Sequence, residues 1–167
     1  SQSTTPHGLR AHLEEQLLEI GRDEDPWRPG PLALRIARII ETSSPGFEIV
    51  SAHVDASRRQ GIPRASWTTA RQAAEVLTAL ARDSHEVLRT WAQGHGPGHD
   101  DEHDVDPAGA PLDPARSWWA PLWRALLADS CSVADPVTRH EMLVDALRGQ
   151  ETSSGAPIVW FSSTALP

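Results

Sequence analysis

The sequence has one cysteine, Cys131, so an internal disulfide is excluded and the chain must be held by burial alone, as suits a reducing compartment. Cys131 itself, in Asp129-Ser130-Cys131-Ser132, has no basic neighbour in sequence to activate its thiol and reads as a small buried hydrophobe. Lysine, asparagine and tyrosine are absent, and all 15 basic residues are arginine. That bias reports GC-rich codon usage and not a chemistry. No run approaches the ~18 apolar residues of a membrane span. A charged-then-apolar secretion signal is also missing. Together these absences lead to the expectation of a cytoplasmic chain with no membrane partner.

Positive charge is in short supply. Against 15 arginines stand 23 carboxylates, for a formal net charge of -8. Phosphate contacts need a basic face, so this balance leads to the expectation of no nucleic-acid partner. Motifs with a mechanism are missing too: there is no Gly-x-Ser-x-Gly elbow, phosphate loop or dinucleotide fingerprint. His140-Glu141-Met142 lacks the second histidine that a zinc-protease helix requires. No catalytic residue is assigned from the sequence.

What is there is enough for one folded domain over residues 1–167, with 39% hydrophobic and 23% charged residues. Area scaling suggests that a chain of this size removes roughly 70% of its unfolded surface from water. The chain begins at Ser1 with no initiating Met, which suits a piece of a longer protein. The 14 prolines and 11 glycines predict helices cut by marked turns. Leu9, Leu13, Leu17 and Ile20 recur at helical spacing between Pro6 and Gly21. Pro31 is placed to open a second helix with Leu32, Ile36, Ile39 and Ile40 inside. The stretch 47–60 has β-branched residues that would suit a strand, but its continuation to Gly61 favours a helix.

Ser66 is a candidate N-cap for a stripe of Ala70, Ala73, Ala74, Leu77, Leu80 and Ala81, extended by Val87, Leu88 and Trp91 as one helix or as two broken near Asp83-Ser84. Small alanines on the buried side permit close approach and predict a central position. Trp118, Trp119, Leu122, Trp123, Leu126 and Leu127 mark an apolar helix with Pro121 in its first turn or at a kink. Asp135-Pro136 is a cap-plus-first-residue signal for a last helix, with Val137, Met142 or Val144, and Leu147 inward. The expected fold is all-α: a compact bundle of five to seven helices, with a long acidic His-rich loop over 94–116 expected to be mobile and an extended apolar C-terminal tail over 150–167.

Three groups of residues could carry function. The loop holds His95, His99 and His103 with Asp100, Asp101, Glu102, Asp104 and Asp106, which are ligand types for zinc or another divalent metal. Its glycines and prolines offer little of the rigid support that a tight site needs. No cofactor is therefore expected, and a metal held by His95, His99, His103, Asp100 and Asp104 is the alternative. The second group is seven tryptophans beside two phenylalanines. Neighbours Trp118 and Trp119 point about 100° apart on a helix, so one of them should lie at or beyond the edge of the core. The third is the apolar run Ile158, Val159, Trp160, Phe161, which needs cover.

Trp118, Trp119, Trp160, Phe161 and Ile158 are accordingly the expected interaction surface, for a protein partner or a second copy. The function this implies is a non-enzymatic accessory, adaptor or regulatory module. The alternatives are a small metal-dependent enzyme using the His/Asp loop and a sensor binding an apolar small molecule in a Trp-lined pocket. Limited proteolysis is expected to cut first between Gly94 and Arg116; cleavage elsewhere, with that segment resistant, would contradict a mobile loop.

Overall fold

The computed structural model describes residues 13–15, 18, 25–42, 46–62, 64–95, 117–129 and 131–150, all-helical in their regular structure. Residues 13–15 and 18 are helical, in the stripe whose other members lie outside the described residues. The helices that follow are α1 (Pro29–Glu41), α2 (Glu48–Arg59), α3 (Ala65–Asp83), α4 (His85–Ala92), α5 (Trp119–Ala128) and α6 (Pro136–Gln150). Among the described residues no helix is long and apolar enough to cross a membrane. The loop beyond His95 and the tail from residue 151 lie outside the described residues.

α3 is the central element. Its inward side carries Ala70, Ala73 and Ala74, each 2% exposed or less, together with Leu77 and Ala81. With only methyl groups at positions 70, 73 and 74, α1 packs closely along it through Leu32, Ala33, Ile36 and Ile40. α1 starts at Pro29, two residues before the expected Pro31, and keeps a proline in its first turn where no N–H is needed. Residues 48–59 are a helix and not a strand: Val50 and Val54, four apart, bury together as helical spacing requires.

Ser66 does not cap α3. Arg64 occupies the N-cap with no side-chain hydrogen bond and a left-handed φ of 59°, while Ser66 lies buried as the second residue of the helix. The Ser66 hydroxyl instead donates to Glu41 Oε1 at 2.9 Å, tying the start of α3 to the end of α1. The helix breaks at Ser84 (φ -150°, ψ 46°), and α4 continues with Leu88 and Trp91 buried. α5 is covered on its inner side by Trp27, which meets Trp123 at 5.4 Å between ring centroids. Gly46 (φ 89°) brings the turn before α2 against Pro121, where a Cβ would sit 3.4 Å from the Pro121 Cβ.

Asp135 caps α6 as expected. Its Oδ1 accepts from the amides of Val137 (2.9 Å) and Thr138 (3.2 Å). The inward face of α6 differs from the expected one: Val137 and Leu143 are buried, whereas Met142 is 45% exposed. One position decides this, because adjacent residues on a helix differ by about 100° in direction.

Leu77 is 1% exposed and has alanines for neighbours along its own helix, which cannot swing in to refill its space. Leu77→Ala should therefore lower stability by ~2–5 kcal/mol, against less than ~0.5 kcal/mol for Met142→Ala, as read from urea unfolding. Equal costs at the two sites would contradict the central placement of α3.

Candidate functional site

Among the described residues, a cavity of ≈ 220 Å³ lies where α1, α3, α5 and α6 meet. Leu32, Leu77 and Trp123 give it an apolar floor, Trp27 a wall, and Asp25 with Arg139 a charged rim. Each member is placed by a local reason. The Asp25 carboxylate accepts from the Trp27 amide at 3.0 Å, so the chain turns tightly just before α1 and throws the indole inward. Trp27 Nε1 then donates to the Val133 carbonyl at 3.2 Å. The Arg35 guanidinium lies over the ring at 4.5 Å while its Nε and Nη2 donate to Asp129 Oδ2 (2.9 Å) and the Leu126 carbonyl (2.7 Å). Trp123 Nε1, by contrast, is buried with no hydrogen-bond partner among the described residues.

Arg139 is the most enclosed charge at the site, its side chain 4% exposed. Its two terminal nitrogens grip both Asp25 oxygens, and its Nε donates to the Ala134 carbonyl at 2.7 Å. This forked geometry is one that arginine provides and lysine does not. Burial alone pushes the Asp25 carboxyl up. The hydrogen bond from Arg139, the Trp27 amide and the charges of Arg139 and Arg28 outweigh burial and hold it below the usual carboxylate value. With both oxygens engaged, Asp25 serves as a clamp and not as a proton carrier.

A second polar cluster joins α4 to α6. The rings of His85 and His140 meet at 4.1 Å, tilted by 37°. Arg89 bridges Glu86 (2.6 Å) and Glu141 (2.7 Å), and those hydrogen bonds, Glu141 first, raise its pKa further. Among the described residues no group of three or more His, Cys, Asp or Glu is arranged to hold a metal ion.

Of the metal-ligand candidates, His95 is exposed at the end of the turn after α4, and His99, His103, Asp100 and Asp104 lie outside the described residues. Trp118 is buried at 8% exposure, whereas Trp119 is half-buried against the core, its ring stacked on Trp118 at 4.5 Å. As the ~100° between neighbours on a helix requires, one indole of the pair is buried and the other lies at the edge of the core. Ile158, Trp160 and Phe161 lie outside the described residues. The Asp25–Arg139 clamp escaped sequence reasoning because its partners are 114 positions apart. The one local signal was Asp25 placed two residues before Trp27, an Asx-turn spacing.

Removing one partner of a buried ion pair strands the other, so Arg139→Met should cost ~3–5 kcal/mol, while Asp25→Leu together with Arg139→Met should cost less. The depressed pKa of Asp25 makes the clamp fully effective above the ordinary carboxylate value of ~3.9 and removes its contribution as pH falls through the lower folded value. Urea unfolding from pH 7 downward should show an acid limb that is weaker in Asp25→Asn; an unchanged limb would contradict the clamp.

Comparison with known proteins gives a family. The family described as RecC, N-terminal domain, matches over residues 4–167. The RecBCD enzyme subunit RecC of two strains of Mycobacterium tuberculosis is 27% identical over 154 residues, which is 86% of this chain and 12% of the relative in each case. No solved structure matches. The chain thus spans a small part of the length of the curated relatives it matches. These findings overturn the generic adaptor or regulatory module.

Proposed function

The chain belongs to the RecC N-terminal domain family, and from that premise we propose that it is the helical N-terminal part of a RecC-type subunit in a cytoplasmic RecBCD-type complex, a helicase and nuclease assembly of DNA repair. The observation that carries this reading is the family match across residues 4–167. The long-range ties support it. Arg139 to Asp25, Trp27 to Val133 and Arg35 to the end of α5 lock helices from opposite ends of the chain into one block. Such a block suits a part that holds other subunits and DNA in register.

The exclusion of nucleic acid drawn from net charge is corrected by this family, since a RecBCD-type complex works on DNA. The physical error lies in averaging. A net charge of -8 is a sum over the chain, whereas phosphate binding depends on the field at one face.

The reading is tested by tagging the full-length protein at its far terminus and isolating it from its own cells. Co-elution with two large partner subunits, and ATP-dependent unwinding or degradation of linear duplex by the eluate, is the expected result. Elution without partners and without DNA-end activity would overturn it.

A further inference from the structure

Three consecutive residues of α6 reach three different partners. Arg139 turns to Asp25, His140 to the ring of His85, and Glu141 to Arg89. The ~100° between neighbours on a helix is what spreads them. Such ties matter here because α6 is seated by few apolar side chains. Val137 and Leu143 are buried, Val144 and Leu147 are half-buried, and Met142 is exposed. The helix against which α6 chiefly packs is α4, and two of the three ties lie in that joint.

His85 is the first residue of α4, directly after the break at Ser84. Its ring and that of His140 lie 4.1 Å apart between centroids, and its Nε2 is 3.7 Å from Glu86 Oε1. The His85 side chain is 26% exposed, so water can deliver a proton to it. The charged groups around the pair are already engaged. From α4 and α6, Arg89 bridges Glu86 and Glu141, and Arg139 is committed to Asp25. At the end of α3, Arg82 and Asp83 meet each other at 2.8 Å, and Arg124 of α5 donates to the Trp91 carbonyl at 3.2 Å. In the joint itself, then, two carboxylates face one guanidinium and two imidazoles.

We infer that the His85–His140 pair is a proton-sensitive latch between α4 and α6, closed while it carries at most one proton and loosened by the second. Without a proton the two rings pack as an aromatic pair. One proton makes a cation lying over a neutral ring, and it balances the extra carboxylate of the Glu86, Glu141 and Arg89 set. A second proton puts two positive charges in rings 4.1 Å apart, with Arg89 adding a third nearby. Like charges that close, where water is partly excluded, repel by more than thermal energy. Histidine is the side chain that changes charge between about pH 5 and pH 8, so the joint is sensitive where the carboxylates stay charged. The Arg139–Asp25 clamp persists through that range, because the Asp25 carboxyl is held below its usual value. The second proton therefore loosens the α4–α6 joint and leaves the start of α6 anchored.

The test is amide hydrogen exchange on the full-length protein, with chelator present, from about pH 8 to about pH 5. Peptides from α4 and α6 are read against peptides from α1 in the same sample, which cancels the intrinsic effect of pH on exchange. In the parent, protection of α4 and α6 should fall roughly tenfold relative to α1 as the pH drops. His85→Phe and His140→Phe each keep a ring in the stack and leave one group to protonate. Either variant alone should abolish the fall, as should the two together, because repulsion needs both charges. A fall that halves in each single variant and vanishes only in the double would mean two independent histidines, and the latch would be wrong. It would also be wrong if α6 tracked α1 at every pH in the parent. A dependence seen only without chelator would assign the pair to a metal, and protection already lost at pH 8 in both Phe variants would make it a plain packing contact; either result overturns the proton reading.

Discussion

Everything in the arrangement depends on the phase of α3. A helix rotated by one residue turns its side chains through about 100°, so the face that packs decides which face is left. Here the packing face is fixed twice. The alanines at 70, 73, 74 and 81 with Leu77 admit α1 to close range, and the Ser66–Glu41 hydrogen bond pins the first turn against the end of α1. Overpacking at the alanines or loss of that hydrogen bond would turn the exposed face of α3 as a whole. Close packing is therefore the cause of the surface as well as of the core.

The second half of the chain is added to this pair by polar ties and not by periodic apolar stripes alone. Trp27 is held by its own backbone turn, by Val133 and by the Arg35 guanidinium, and it reaches Trp123 of α5. Arg139 brings α6 to the same place through Asp25. These groups sit in low-dielectric surroundings where an unmade bond is expensive, so they fix one arrangement of helices in preference to close alternatives. The cavity they enclose is the space left between large indoles that meet at a tilt.

Much of the fold was legible in the sequence, for identifiable reasons. The alanine stripe, the break at Asp83-Ser84 and the Asp135-Pro136 cap are local signals, and α3, α4 and α6 follow from them. Ser66 misled because a serine before an apolar stripe has the same local appearance whether it caps its own helix or bonds to another; Glu41, 25 residues away, decided it. Met142 and Leu143 were exchanged because α6 has little amphipathic contrast. The function was hidden by a sum. Counting 15 arginines against 23 carboxylates discards their positions, and the 95–106 segment alone contributes five carboxylates to the total.

The central claim is that close packing of the α3 alanines against α1 sets the phase of α3 and with it the arrangement of the helices. Amide hydrogen exchange on the full-length protein, the parent beside Ala74→Leu, addresses it most directly. The account predicts slow exchange along α1 and α3 in the parent and faster exchange in both helices in the variant. Unchanged exchange over α1 and α3 in the variant would contradict it.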